Sequence, residues 1–432
     1  MSATEMSAPG SARFEREPTA LIPTGLLNGP AGGWIRGAAL LAFLLIGCVT
    51  PTEPPPTIEE RPPLTRVAPE DVPDLCEDIF YDGLAEALEQ SIGYLRRVSS
   101  SRRFNFGEDS YDSAHMIRSH EVFLSIVAAR PGCEKLSRIM RERYRVYRAA
   151  GRKDTGKVLF TGYYEPILRG SLNRSADFSY PLYTRPDDLV TIDLPLFKKQ
   201  FAGERPLVGR LTDDNRVVPY YERREIVGQN RLEGRALPLV WLDDRIDRFF
   251  LEIQGSGKVY LEDGGAMNVH YDGKNGRPYR SIGALLVRTG KIPRSEISMQ
   301  SIRAYLDAHP EEVPEILNHN PSFVFFKEEA AGPLGALGLV LTPGRSLAVD
   351  RRIFPDAALA YISTQKPMVD GRGHITSWQA FGRFVSNQDT GGAIRGPGRA
   401  DLFWGNGTYA KIAAGHMQHP GDLYIFVLRP DS

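Results

Sequence analysis

Two aspartates near the C-terminus have the surroundings that acid/base chemistry requires. The segment Asp389–Gly407, DTGGAIRGPGRADLFWGNG, holds six glycines together with Asp389 and Asp401 in nineteen residues. Glycine weakens a strand and buries no side chain, so this density indicates backbone that a bulky ligand can approach. Aromatic neighbours such as Phe403 and Trp404 exclude water and raise the pKa of an aspartate. A protonated carboxyl beside aromatic rings suits carbohydrate chemistry.

The overall composition fits a globular protein and argues against a nucleic-acid partner. The chain has 432 residues, of which 42% are hydrophobic and 25% are charged, enough for more than one domain. Lys+Arg and Asp+Glu number 53 each, so no excess of positive charge favours a phosphate backbone. The 42 glycines and 32 prolines indicate many short connections, which are typical of a β-rich body.

The N-terminal region has the pattern of a lipoprotein signal. The apolar run Gly37–Gly47 is too short to span a membrane, and Leu45-Ile46-Gly47-Cys48 resembles the bacterial lipobox, in which the cysteine becomes the lipidated first residue. We therefore expect residues 1–48 to be a signal peptide, with Cys48 as the lipidation site. The rival interpretation is a plain signal anchor with a chance cysteine. Val49 follows where an aspartate would resemble an inner-membrane retention signal, so the expected location is the periplasmic face of the outer membrane.

Downstream of Cys48 the chain is expected to form a tether and then a helical region. Residues 49–74 are rich in Pro, Glu and Thr and poor in large apolar groups, which predicts an extended linker. From 75 to 152 apolar residues recur at helical spacing. Cys76 and Cys133 flank this region, and two interpretations stay open: a disulfide or two buried thiols.

Beyond residue 155 the pattern predicts mostly strands. Alternation in Val158–Leu168 predicts a strand, and further strand candidates are Phe249–Leu261, Leu337–Thr342 and the C-terminal DLYIFVLRP. Gly and Pro interrupt these segments at the short intervals typical of a small barrel. A helix-rich insert is predicted over 281–320.

Six sequence blocks in a fixed order resemble the membrane-bound lytic murein transglycosylase A family. Besides Asp389–Gly407, the blocks are FTGYYEP (160–166), EIQGSGKV (252–259), YDGKNGRPYRSIG (271–283), NPSFVFFKE (320–328) and SLAVDRRIFP (346–355). They cover nearly all of the chain after the tether. The resemblance implies a mainly β protein with helical segments: a double-psi β-barrel domain (75–169 and 328–432) and a second, β-barrel-like substrate-binding domain (170–327), separated by a groove.

The resemblance also implies the reaction. It assigns Asp401 as the catalytic residue and Asp350, Asp389 and Asp401 as the three-aspartate pattern. In this family the 6-hydroxyl of muramic acid attacks the anomeric carbon, so one carboxyl serves as acid and then as base, and the product has a 1,6-anhydromuramoyl end. The bond cleaved is the β-1,4 bond between N-acetylmuramic acid and N-acetylglucosamine. No cofactor is needed, the partner is the glycan strand of peptidoglycan, and a monomer is expected.

Several other residues are candidates for supporting roles. We expect Asp389 and Asp350 to hold turns, with a direct role for Asp389 as the alternative. The resemblance places the glycine-flanked polar residues Gln254, Ser256 and Lys274 on the groove, where they either bind sugar hydroxyls or the lactyl carboxylate, or form turns. Tyr163 and Trp404 are candidates for contacts with sugar rings, although one of two adjacent tyrosines in a strand usually faces the core.

Three rival interpretations remain open at the level of the sequence. Glu165 is the alternative acid, because other transglycosylase folds use a glutamate. A hydrolase on the same barrel would use two carboxylates, such as Asp389 and Asp401, to activate water. A lipoprotein that only binds glycan or acts as a scaffold is the third. We expect no metal site, because the pair His416 and His419 lacks a third ligand.

Overall fold

The structure is a computed structural model that describes residues 62–430. In this range there are nineteen strands and nine α-helices. The helices are α1 Leu84–Arg97, α2 Ser113–Ala128, α3 Cys133–Arg143, α4 Arg223–Gln229, α5 Arg245–Gln254, α6 Ile282–Arg288, α7 Met299–Ala308, α8 Val313–Asn318 and α9 Gly407–His416. None of the helices described is both long enough and apolar enough to cross a bilayer.

The strands fall into two large sheets and two small ones. The strands of the first large sheet are β1 Leu64–Val67, β4 Tyr144–Ala149, β5 Val158–Tyr163, β15 Ser346–Ala348, β16 Leu359–Val369, β17 Ile375–Asp389, β18 Arg399–Phe403 and β19 Gln418–Leu428. The strands of the second are β6 Ile167–Ser171, β7 Tyr180–Tyr183, β11 Pro238–Leu242, β12 Ser256–Leu261, β13 Ala266–Lys274 and β14 Val324–Glu329. The small sheets are the hairpin β2 Arg103–Phe106 with β3 Asp109–Asp112, and the trio β8 Leu189–Ile192, β9 Leu207–Leu211 and β10 Val217–Pro219.

Six strands of the first sheet close into a barrel. They pair in the order β19-β16-β17-β15-β18-β5, and β5 pairs again with β19 to complete the ring. Two of the contacts, β15 with β17 and β18 with β5, are parallel. Each of the six strands contributes a fully buried apolar residue to one core, namely Phe160, Leu347, Ile362, Val385, Leu402 and Ile425. The predicted mainly β fold with a closed barrel is therefore confirmed.

The second sheet has the order β14-β13-β12-β6-β11-β7 and its own apolar core. Its strands Ile167–Ser171 and Val324–Glu329 extend slightly beyond the predicted domain limits of 170 and 327. The helices α6, α7 and α8 agree with the helix-rich pattern predicted over 281–320, and they form a further apolar cluster with α5. The assignment of substrate binding to this part of the chain stays a prediction.

Four sequence-based expectations were wrong in detail. The helical region expected to run to 152 ends at Arg143, because the alternating YRVYRA that follows pairs as β4 with β1 and β19. The first half of Phe249–Leu261 is the end of α5, whose cap residue Asp244 accepts hydrogen bonds from two backbone amides. Leu337–Thr342 forms only an isolated bridge.

The fourth expectation concerned the tether, which was expected to run to residue 74. Leu64 is already buried, however, and β1 is an edge strand of the first large sheet. Residues 1–61, with the predicted signal peptide, Cys48 and most of the tether, lie outside the described residues.

The segment before α1 is fixed to the barrel by a disulfide and a buried ion pair. Cys76 and Cys133 form the disulfide, which decides between the two interpretations left open above. The neighbouring carboxylate of Glu77 accepts two hydrogen bonds from Arg345, of 2.8 and 3.0 Å, and one of 2.6 Å from the amide of Phe384. The side chains of Arg345 and Glu77 are 0% and 3% exposed, so each depends on the other for its charge balance.

Replacing Arg345 should therefore destabilise the fold strongly. Arg345→Met leaves the Glu77 carboxylate buried without its counter-ion, and we expect the free energy of unfolding to fall by about 3–5 kcal/mol. Urea unfolding followed by circular dichroism measures this loss. The matched control is Arg96→Met, which removes an arginine from an exposed pair with Glu121 and should cost less than about 1 kcal/mol. Equal losses for the two variants would contradict this interpretation of the Arg345 pair.

Candidate active site

The register of the barrel strands places two of the three predicted aspartates in one row. Ala348 of β15 pairs with Asp389 on one side and with Asp401 on the other. Asp401 in turn pairs with Thr161 of β5. The two aspartates are therefore two strand spacings apart, about 10 Å between backbones.

Strand alternation turns Asp401 away from the barrel core. Its neighbours Ala400 and Leu402 are fully buried among the core residues, so Asp401 faces the outer side of the barrel wall. On β5 the same alternation places the side chains of Thr161 and Tyr163 on that outer face. The hydroxyl of Thr161 donates a 2.8 Å hydrogen bond to Asp401 Oδ1.

The surroundings of Asp401 favour its neutral form. Burial raises its pKa to about 6, and the negative charge of Asp389 adds to the rise. The hydrogen bond from Thr161 and the positive charge of Arg399 act in the opposite direction. The balance leaves a carboxyl that gains and loses a proton near neutral pH, the property that a general acid needs.

Asp389 accepts hydrogen bonds through both of its carboxylate oxygens. Its Oδ2 accepts a 2.7 Å hydrogen bond from the hydroxyl of Tyr163, and its Oδ1 accepts from the amides of Ala336 and Thr390, both at 2.8 Å. Burial nevertheless raises its pKa above the usual value. Burial and the charge of Asp389 also raise the pKa of Tyr163, so its hydroxyl keeps its proton and stays a donor.

Asp350 anchors the glycine-rich loop between the other two aspartates. Its Oδ2 accepts a 2.8 Å hydrogen bond from the amide of Gly396 and a 2.6 Å bond from Arg352. These donors hold the pKa of Asp350 well below its usual range. The carboxylate therefore stays charged and fixes a loop, whereas a supporting role of Asp350 in the reaction stays a prediction.

Two glycines of this region serve the packing of the barrel itself. A Cβ atom at Gly398 would lie 2.8 Å from the backbone nitrogen of Arg152, and one at Gly405 would lie 2.9 Å from Pro343. Gly405 also has a φ of +88°, which favours glycine. Close approach by a ligand is therefore not the reason for these two glycines.

The polar residues predicted for the groove lie on the second sheet and its connections. Gln254 ends α5, and its side-chain oxygen accepts a 3.2 Å hydrogen bond from the amide of Tyr164, just after β5. Ser256 begins β12 and is partly exposed, and Lys274 ends β13 and is exposed. Gln254 thus joins the two sheets close to the Tyr163 end of the row, whereas direct binding of sugar by these three residues stays a prediction.

Two of the candidate residues are positioned unfavourably for the roles considered. Trp404 is 8% exposed and packs in the barrel core against Gly162 and Phe381, so the expectation that its ring meets a sugar does not fit its burial. Glu165 is 4% exposed, and Asn406 donates a 3.0 Å hydrogen bond to its carboxylate.

The two histidines considered for a metal have other contacts. His416 forms a hydrogen bond with the carbonyl of Ile412, and the ring of His419 lies against Trp378.

The sequence interpretation missed two residues of the site, Thr161 and Arg399. Arg399 donates a 3.3 Å hydrogen bond to the Thr161 hydroxyl, which in turn donates to Asp401. The signal was present in the block FTGYYEP, because Thr161 and Tyr163 are two residues apart and share one face of a strand. What the sequence did not contain was the pairing of β5 with β18.

Family models match most of the described chain. The model described as the MltA specific insert domain matches residues 159–327, and the 3D domain model matches residues 345–427. The membrane-bound lytic murein transglycosylase A of Escherichia coli (strain K12) is 33% identical over 283 residues, which cover 65% of this chain and 68% of the relative.

Solved structures agree with these matches. The crystal structure of a membrane-bound lytic murein transglycosylase from Agrobacterium tumefaciens is similar with a TM-score of 0.67 and 29% identity, covering 85% of this chain and 98% of that one. The crystal structure of E. coli MltA with bound chitohexaose has a TM-score of 0.64 and 27% identity, covering 85% and 95% of the two chains.

The hydrogen bond from Thr161 should set the pKa of Asp401. The hydroxyl donates to the charged carboxylate and so favours it, and we expect Thr161→Val to move the pKa of Asp401 upward from about 6. Carboxyl ¹³C NMR titration measures this shift. Thr161→Ser is the matched control, because it keeps the hydroxyl and should keep the pKa. An unchanged or lower pKa in Thr161→Val would refute this role of Thr161.

Proposed function

The chain belongs to the membrane-bound lytic murein transglycosylase A family of enzymes, and from this premise we propose that it cleaves peptidoglycan glycan strands with Asp401 as its single acid/base. The bond cleaved is the β-1,4 bond between N-acetylmuramic acid and N-acetylglucosamine. The observation that carries the proposal is the partly exposed carboxyl of Asp401 on the outer face of the barrel, whose pKa desolvation raises to about 6.

In the first step Asp401 acts as the acid. With a pKa of about 6, a useful fraction of its carboxyl is protonated near neutral pH, and this fraction falls as the pH rises. The proton goes to the glycosidic oxygen as the bond to the anomeric carbon breaks. Positive charge then develops on the sugar while negative charge develops on Asp401.

In the second step the same group acts as the base. The 6-hydroxyl of the muramoyl residue attacks its own anomeric carbon, and its proton passes to the Asp401 carboxylate, leaving a 1,6-anhydromuramoyl end. The Thr161 hydroxyl stabilises the carboxylate between the two steps through its 2.8 Å hydrogen bond. The attacking oxygen is already part of the substrate, so no second carboxylate is needed to activate it.

The hydrogen bonding of Asp389 argues against the rival hydrolase. A general base must have a lone pair free to accept a proton from water. Asp389 already accepts three hydrogen bonds, one from Tyr163 and two from backbone amides, which takes most of the roughly four acceptor sites of a carboxylate. We assign Asp389 a supporting role, in which its charge raises the pKa of Asp401.

Removing the acid should abolish turnover and leave binding intact. Asp401→Asn keeps the shape of the side chain, but its amide has no acidic proton to transfer near neutral pH. We therefore expect the release of soluble fragments from purified sacculi to fall by at least about 10²-fold. Cosedimentation with sacculi should be unchanged. The control is Asp213→Asn, the same substitution at an exposed position outside the site. Fragment release by Asp401→Asn at the wild-type rate would disprove the assignment.

We also propose that Cys48 is lipidated and holds the enzyme at the periplasmic face of the outer membrane as a monomer. The lipobox-like sequence supports the lipid anchor, and the E. coli relative is named membrane-bound. Cys48→Ser should move the protein from the membrane to the soluble fraction, because the attached acyl chains supply most of the membrane affinity. Cell fractionation with immunoblotting measures this change. A variant that stays in the membrane fraction would contradict lipid anchoring through Cys48.

A further inference from the structure

The hydroxyl of Thr161 lies between an arginine and the proposed acid of the site. Its Oγ1 accepts a 3.3 Å hydrogen bond from Nη2 of Arg399 and donates one of 2.8 Å to Oδ1 of Asp401. Within residues 62–430 this hydroxyl has no other hydrogen-bond partner, and Arg399 forms no ion pair with Asp401. Hydrogen bonding therefore links the guanidinium to the carboxyl through Thr161.

Strand pairing fixes the positions of these side chains. Between β18 and β5, Arg399 pairs with Leu159 and Asp401 pairs with Thr161. Residues two apart in a strand share a face, so Arg399 and Asp401 lie side by side on the outer face of the barrel. The carbonyl of Gly398, directly before Arg399, accepts a 2.9 Å hydrogen bond from the amide of Leu159. The arginine therefore extends toward Thr161 from backbone that the barrel holds in register.

The guanidinium group sets the direction of both hydrogen bonds. Arginine has only donors and stays charged, so Oγ1 of Thr161 must accept from it. The single hydrogen of the hydroxyl is then left for Oδ1 of Asp401. If Oδ1 instead carried the acidic proton and donated it to Thr161, the hydroxyl hydrogen would have no acceptor in the part of the chain that the structure describes, which is unfavourable in a half-buried site. Oδ1 therefore stays an acceptor in both the neutral and the charged state of Asp401.

The other carboxyl oxygen of Asp401, Oδ2, is open to a ligand. It accepts no hydrogen bond from the residues that the structure describes, and it is not one of the fully buried polar atoms that lack a partner. Since Oδ1 is held as an acceptor, the proton of the neutral carboxyl belongs on Oδ2. The acidic proton and the accessible oxygen therefore coincide.

We propose that Arg399 is a positioning residue that acts through Thr161 and reserves Oδ2 of Asp401 for both proton transfers. The inference rests on the proposed function, because it assigns the two steps of that reaction to one oxygen. In the first step the Oδ2–H bond breaks, its proton goes to the glycosidic oxygen, and the bond from that oxygen to the anomeric carbon breaks. In the second step the 6-hydroxyl oxygen bonds to the anomeric carbon and its proton returns to Oδ2. The carboxyl keeps its hydrogen bond at Oδ1 throughout and does not rotate between the steps.

A double-mutant cycle tests whether Arg399 acts through Thr161. Maximal rates on solubilised glycan strands are measured for the wild type, Arg399→Met, Thr161→Val and the double variant, in the acid limit of each pH profile, where Asp401 is protonated in every variant. This limit removes the effect of the arginine's charge on the pKa of Asp401. We expect Arg399→Met to lower kcat by roughly three- to tenfold with little change in KM, and the double variant to be no slower than Thr161→Val alone.

Two further variants separate this role from a merely structural one. Arg399→Lys keeps a donor and a positive charge and should lose less activity than Arg399→Met. Arg96→Met removes an exposed arginine of α1 and should keep the wild-type rate. An unchanged rate in Arg399→Met, losses that multiply in the double variant, or equal losses in Arg399→Lys and Arg399→Met would each overturn the proposal. Failure of the proposed function would be seen differently, as cleavage by Asp401→Asn itself.

Discussion

The site depends on the closure of the barrel through β5. This strand pairs with β18 on one side and with β19 on the other, and the β18 pairing sets Thr161 directly beside Asp401. A ring of fully buried apolar residues inside the barrel holds the register, and strand alternation then leaves Asp401 on the outer face. Slipping β18 by one residue would turn Asp401 into the core and Leu402 outward. The buried core thus fixes the direction of the carboxyl.

The three aspartates share a motif but have different chemical states, and their partners explain the differences. Asp350 is bound by an arginine and a backbone amide, so its pKa is low and it serves as an anchor. Asp389 and Asp401 both have raised pKa values because of burial, yet Asp389 has both oxygens engaged by donors. Asp401 accepts the hydrogen bond of Thr161 through Oδ1. Of the three carboxyls, it is therefore the one best able to exchange a proton with a ligand.

The sequence contained much of the site and less of its framework. Blocks of residues identified the barrel, the three aspartates and the helical insert, because local patterns and motif spacing survive in a linear chain. The sequence does not show which distant strands pair. Thr161 was missed because its contact with Asp401 depends on the pairing of β5 with β18, although its block FTGYYEP was recognised. The burial of Trp404 was not readable from the sequence either, because an aromatic residue next to a motif aspartate has the same sequence pattern whether it faces a ligand or the core. The helix prediction failed at β4, where pairing with β1 and β19 outweighed a helical pattern.

The central claim is that one carboxyl suffices because the sugar, not water, supplies the attacking oxygen. Digestion of purified sacculi in H₂¹⁸O, followed by mass spectrometry of the released muropeptides, tests it most directly. The account predicts new muramoyl ends that contain no ¹⁸O and are about 18 mass units lighter than reducing ends, as an intramolecular attack requires. New ends that carry one ¹⁸O atom for each bond cleaved would contradict it and would show that water takes part.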